Sequence, residues 1–222
     1  MADIDQITAA RAGLELLVAE NDELLDRFAN LLAKLEELEA LSPEERHSAF
    51  RTLAQDGSLT FNGVDVRRFA PTAAQQLTPG QFMRRTHRRL VNTVSMIEQF
   101  QERGTFDEGT ALLARIGDLT QDLVDETDTQ AVLDFRKRVD AVRNDPLFAA
   151  YLAHKQHFIK EDADFRTDAE IAATKESVQD SQDLLEERGK ALAELSEDMA
   201  SGAIDPEQAA ERMDALTLPE HE

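Results

Sequence analysis

The chain has 222 residues, of which 41% are apolar and 31% charged, and its formal net charge is −21. This apolar content is enough to bury a core, whereas the absence of cysteine excludes disulfides, thiolate metal sites and thiol nucleophiles. No apolar run approaches the roughly 20 residues that span a bilayer, and the N-terminus lacks the features of a signal peptide. We therefore expect a protein of the cytoplasm or of an assembled particle, without membrane contact. The strong acidity is also typical of halophilic proteins.

Residues 1–41 predict a long helix with a coiled-coil pattern. With Ile7 at heptad position a, nine of the ten a and d positions are apolar, and further apolar residues at position e favour contact with more than one helix. Asn21 is the polar exception, and it either fixes the register of the packed helices or faces solvent where the helix leaves its partner. We expect this helix to form an oligomer. The predicted interface consists of Ile7, Leu14, Leu17, Asn21, Leu24, Phe28, Leu31, Leu35 and Leu38.

Residues 42–104 predict a basic module of helix, hairpin and helix. Ser42-Pro43 begins a short helix, and Asn62-Gly63 then predicts a tight turn between two short strands. In that hairpin, Phe61 pairs with Val64 and Leu59 with Val66. A second helix follows from Thr78-Pro79 to about Arg103. Its predicted apolar stripe is Met83, His87, Leu90, Val94 and Ile97.

The same module concentrates positive charge. Residues 46–89 hold eight arginines against two aspartates, a net charge of +6 that leaves −27 for the rest of the chain. Such segregation predicts contact with an anionic partner, either acidic helices of this assembly, such as those carrying Glu36, Glu37 and Glu39, or the phosphates of a nucleic acid. We favour the acidic helices. The predicted anionic-partner site consists of Arg67, Arg68, Arg84, Arg85, Arg88 and Arg89.

The remaining chain also has helical periodicity. Residues 105–145 predict a helical hairpin or bundle segment, and residues 146–222 a C-terminal helical arm with a short terminal helix. From Pro146 to about Ala200 the pattern is helical throughout. In its second part apolar residues recur every seven positions with mostly polar residues between them, which predicts an exposed arm or a lightly buried helix. The predicted fold is mainly α: an elongated helical bundle with a long N-terminal coiled-coil helix and one small β-hairpin.

The sequence offers little support for catalysis. His154, His157 and Glu161 have a spacing that permits a metal site on one helical face, but an exposed polar surface is the more ordinary interpretation. There is no glycine-rich phosphate loop, no serine elbow and no usable arrangement of histidine, aspartate and nucleophile. We expect no enzyme, no metal and no cofactor.

Two classes of function remain. The first is a non-catalytic oligomeric structural or assembly protein, such as a scaffold, an adaptor or a virion component, whose partners are copies of itself and other protein subunits. The alternative is a regulatory or architectural nucleic-acid-binding protein that dimerises through the first helix. Both interpretations rest on pattern alone, and a fold does not determine a function.

Overall fold

The structure, a computed structural model, is mainly helical and bundle-like, and it begins with a long helix as predicted. It describes residues 4–61, 64–65, 77–121, 124–125 and 127–218. Within these ranges the helices are α1 Ile4–Glu39, α2 Pro43–Gln55, α3 Pro79–Glu102, α4 Gly109–Gln121, α5 Thr129–Arg143, α6 Pro146–Glu161, α7 Ala163–Ser201 and α8 Pro206–Leu216. None of the helices in the described ranges is long and apolar enough to cross a membrane.

The predicted small β-hairpin is not supported as an element of the fold. Extended pairing among the described residues is limited to β1, Thr60–Phe61, and β2, Val64–Asp65, which run antiparallel with Phe61 opposite Val64. Two residues a strand fall below the usual minimum of about three. The predicted turn at Asn62-Gly63, and Val66 of the second predicted pair, lie outside the described residues.

Local signals set the ends of the helices. Thr78 forms a capping box with Gln81 at the start of α3, and Pro79 occupies the first helical position, where its missing N–H removes no hydrogen bond. Gly104 follows the end of α3 with a φ of 65°, in the left-handed region that favours glycine. Asp205 and Gln208 form a second capping box before α8. These ends agree with the boundaries that the sequence predicts.

The chain folds into two compact units, and each combines stretches that are far apart in sequence. Unit 1 comprises residues 1–37, 53–70 and 177–222, and unit 2 comprises residues 38–52 and 71–176. In unit 1, Leu14 of α1 packs with Leu192 and Leu195 of α7 and with Ala209 of α8. Residues from both ends of the sequence therefore share one core.

The core of unit 2 is built by α3 to α7 and is rich in phenylalanine. Phe100, Phe135 and Phe165 are at most 1% exposed, and Phe100 stacks on Phe165 with ring centroids 4.8 Å apart. Of the predicted apolar stripe of α3, His87 is exposed, and its Nε2 lies 2.9 Å from the Thr120 carbonyl oxygen. Thr86, Met96 and Phe100, which the predicted stripe did not include, are buried.

The helix predicted from Pro146 to about Ala200 is divided in two at Asp162. The Asp162 carboxylate accepts a hydrogen bond of 2.7 Å from the Phe165 backbone N–H, so it caps the start of α7. It also pairs with the guanidinium of Arg103, 2.7 Å away. Both helices share a similar apolar periodicity, which explains why the pattern alone joined them.

For the second part of this segment the sequence predicts an exposed arm or a lightly buried helix, and α7 is buried more deeply than either alternative. Of the residues spaced seven apart, Ile171, Val178, Leu185 and Leu192 are at most 2% exposed and Met199 is half-buried, and the polar residues between them are buried too. Thr174 and Ser181 are examples, and each hydroxyl donates to the carbonyl oxygen four residues earlier in α7. A hydroxyl satisfied by its own helix can be buried at little cost. The seam of α7 is therefore continuous although its sequence appears interrupted.

The cap at Asp162 gives a pH-dependent prediction. The backbone N–H of Phe165 and then the nearby Arg103 hold the pKa of the Asp162 carboxyl below its usual range. The ionised carboxylate therefore stabilises the fold above about pH 4, and this stabilisation is lost as the pH falls through the lower pKa of the folded state. We expect Asp162→Ala to lower the free energy of unfolding at pH 7 by about 1 kcal/mol. In urea titrations, the difference from the parent should shrink below pH 4. Asp164→Ala, an exposed change in the same helical turn, is the control; a difference that persists at pH 2 would contradict this account.

Candidate functional site

The candidate site is the set of basic side chains from the positive segment that pair with carboxylates in unit 2. Arg46 of α2 is its most connected member. Its Nη1 lies 2.6 Å from an oxygen of Asp168, and both side chains are about one-fifth exposed. Its other nitrogens donate to the carbonyl oxygens of Leu38, Glu39 and Leu41, where α1 ends. Arg46 thus satisfies carbonyls that a helix end leaves without partners and joins that end to the start of α7.

Arg89 of α3 makes a second contact of this kind. Its Nε lies 2.6 Å from Glu176 of α7, and the second oxygen of that carboxylate accepts from the Asn92 amide at 3.3 Å. Arg89 is half exposed whereas Glu176 is mostly buried. Arg103, which follows the last residue of α3, pairs with Asp162. Three arginines of this region therefore meet carboxylates between residues 162 and 176.

The structure brings together only part of the predicted anionic-partner site. Arg84, Arg85 and Arg88 are half-buried on α3 instead of standing on an open face. Arg67 and Arg68 lie outside the described residues. Among the acidic partners proposed from sequence, the carboxylate of Glu39 pairs with Lys175, 2.9 Å away.

The predicted oligomer interface on α1 is largely covered within one chain. Seven of its nine members are at most 6% exposed, and Ile7 and Leu17 are half-buried. In unit 1, Leu14 and Leu17 pack against residues of α7 and α8. The apolar stripe is satisfied without a second chain, so the oligomer stays a prediction that needs a different surface.

Sequence reasoning missed Arg188, which is buried in unit 1. Its side chain is 5% exposed, and its Nη2 lies 2.7 Å from a carboxylate oxygen of Glu20. Nη1 donates to the amide oxygen of Asn21 at 3.3 Å, and Nε donates to the Leu216 carbonyl oxygen at 2.7 Å. Asn21 is itself 2% exposed, so it does not face solvent. The available signal was register: counting from Ile171 as position a, Arg188 falls at a d position of α7.

The predicted exposed polar surface is correct for His157 and Glu161, which are exposed, but wrong for His154. His154 is half-buried, and its ring lies 4.7 Å from that of Phe100 and 5.3 Å from that of Phe106. Burial, and then the neighbouring His157, lower the pKa of the His154 imidazole. No three histidine, aspartate or glutamate side chains among the described residues are placed to hold a metal ion. The histidine therefore belongs to an aromatic cluster.

Comparison with known proteins does not assign this site. No family model, curated protein or solved structure matches the chain. Functional reasoning consequently rests on the contacts described above.

Proposed function

We propose that this chain is a non-catalytic structural protein of a helical assembly, in which the basic segment docks acidic helices. The observation that supports this most directly is the pairing of Arg46 and Arg89 with Asp168 and Glu176 in unit 2. These arginines act as ties between helices, a use that fits a chain with few cations and many carboxylates. Assembly with copies of itself or with other subunits is part of the proposal.

Self-association needs a surface other than the buried stripe of α1. The same helix carries Leu16, which is 73% exposed. Val18, which is 37% exposed, points about 160° away from it around the helix, so the two form no single patch. We propose the exposed surface around Leu16, the outer face of α1, as the place to test for contact between copies.

A nucleic-acid function is less compatible with the same contacts. To bind Arg89, a phosphate would have to displace a carboxylate 2.6 Å away, and Arg84, Arg85 and Arg88 are half-buried. Free arginine forks on an open face are what phosphate binding requires. The positive segment is thus better explained by contacts with protein carboxylates.

The test is the double replacement Arg46→Glu, Arg89→Glu. Each change places two carboxylates face to face, so we expect the free energy of unfolding in urea to fall by about 2–4 kcal/mol. Lys137→Glu is the matched control, because its pair with Asp134 is 74% and 55% exposed and such pairs contribute about 0.5 kcal/mol or less.

Nucleic-acid binding is measured on the same proteins by fluorescence anisotropy with duplex and single-stranded DNA at low salt. We expect no saturable binding by the parent. Binding by the parent with a log-log salt slope of about −5, corresponding to six phosphates, together with a double variant that folds normally but no longer binds, would overturn the proposal in favour of nucleic acid.

A further inference from the structure

A cavity of about 230 Å³ lies within unit 2, lined by residues of α3, α5, α6 and α7. The apolar part of its wall is formed by Leu90, Met96, Val139 and Phe148. The α7 side is lined by small residues, among them Ala172, which leave the space unfilled. Its volume is below the range of about 300–1,000 Å³ usual for sites that take drug-sized ligands. The cavity therefore suits a small molecule.

The charged lining of this cavity has the opposite sign to the chain. Arg89, Arg143 and Lys155 contribute three positive charges and Glu176 one negative charge, whereas the whole chain carries −21. Arg89 is paired with Glu176, and Nη1 of Arg143 lies 4.0 Å from a carboxylate oxygen of Asp140. The excess positive charge of the lining is therefore that of Lys155, and low-dielectric walls strengthen its effect on a ligand. An anion is favoured there over a cation of the same shape.

Lys155 is the cation in this cavity whose charge is least compensated. It is half-buried, and burial lowers the pKa of its ammonium group, an effect that the nearby Glu176 only partly opposes. Among the described residues, no hydrogen bond or ion pair of contact distance engages this ammonium. Glu176 is already held by Arg89 and Asn92. A half-buried charge of this kind favours a ligand that supplies the missing counter-charge.

We propose that this cavity binds a small organic monoanion, a carboxylate with a short apolar chain. The carboxylate lies against Lys155 and the neighbouring arginine side chains, and the hydrocarbon contacts Leu90, Met96 and Phe148. Glu176 disfavours a second negative charge, which argues against phosphate dianions. The apolar walls favour a ligand with carbon beyond its carboxylate.

The experiment titrates the full chain with hexanoate by isothermal calorimetry and by ¹⁵N amide chemical shifts. Hexanamide and hexylamine are the neutral and cationic probes of the same length. We expect saturable binding of hexanoate with a Kd on the order of 1 mM or lower, and shifts confined to residues that line the cavity. The neutral and cationic probes should bind about ten- to a hundredfold more weakly, because they lack the charged hydrogen bond.

Two variants separate the site from a general charge effect. Lys155→Met removes the ammonium with little change in volume and should weaken hexanoate binding about ten- to a hundredfold. Lys160→Met, an exposed change on the same helix, should leave binding unchanged. Ala172→Leu fills the cavity and, where it folds, should prevent binding.

Three results would overturn the proposal. If hexanamide binds as tightly as hexanoate, the charge of the ligand plays no part. If Lys155→Met binds hexanoate as tightly as the parent, the ligand binds elsewhere. If inorganic phosphate binds as tightly as hexanoate, the site binds anions but the apolar walls contribute nothing to affinity. Absence of saturable hexanoate binding would exclude this ligand class, whatever the outcome for assembly.

Discussion

Replacing Arg188 with methionine is expected to lower the free energy of unfolding by about 2–4 kcal/mol in a urea titration. Methionine fills similar apolar space but donates no hydrogen bond. The change leaves the amide oxygen of Asn21 and the carbonyl oxygen of Leu216 without the donors that now serve them inside unit 1. Glu20 is 40% exposed and can regain water, which limits the loss.

The matched control is Arg212→Met in the same unit. Arg212 pairs with Asp198 at 2.6 Å, but the two side chains are 41% and 40% exposed. An exposed pair of this kind contributes about 1 kcal/mol or less. The burial of the arginine, and not the distance of its ion pair, should therefore decide the cost. Equal losses for the two variants would mean that Arg188 is not buried in solution.

Leu24→Asp is expected to cost about 4 kcal/mol or more, enough to unfold a protein of ordinary stability at moderate temperature. Leu24 is fully buried, with 0% exposure, so the new carboxylate would lose its water and leave a cavity where the leucine stood. Loss of helical circular dichroism and of a cooperative melt would report this result.

Leu16→Asp tests an exposed position of the same helix. Since Leu16 is 73% exposed, the change should alter stability by about 0.5 kcal/mol. If copies assemble through the outer face of α1, it should also lower the mass found by analytical ultracentrifugation. A folded Leu24→Asp protein of lower mass would instead support an oligomer held by the a and d positions, and would contradict their burial within one chain.

The elements of this fold that carry local signals could be predicted from sequence. α1 and α3 begin and end close to the predicted residues, because caps, prolines and Gly104 act within a few positions of themselves. The division at Asp162 was missed, since one aspartate between two segments of similar periodicity is an inconspicuous signal. Helix type and length were therefore accessible, whereas an interruption without glycine or proline was not.

The candidate site was harder to predict from the sequence, because the sequence shows neither which residues pair nor which side chains are buried. The positive segment was evident from charge, but only the fold shows that Arg46 meets Asp168 and Arg89 meets Glu176. No sequence pattern marks Lys155, because its importance depends on the cavity that it lines in unit 2. From the sequence, Arg188 resembles an exposed polar residue of α7. Only the structure shows that it is buried and donates a hydrogen bond to Asn21 of α1.

The contact between Asn21 and Arg188 joins residues 167 positions apart. A ribosome adds roughly 5–20 residues each second, so about ten to thirty seconds separate the synthesis of these two partners. During that interval Leu14 cannot reach Leu192 and Leu195, which complete its core. α1 is made well before α7 and α8, so its apolar stripe is open to chaperones or to other nascent chains until those two helices are synthesised. The side chains that cover α1 can thus reach it only after the residues between them have been made.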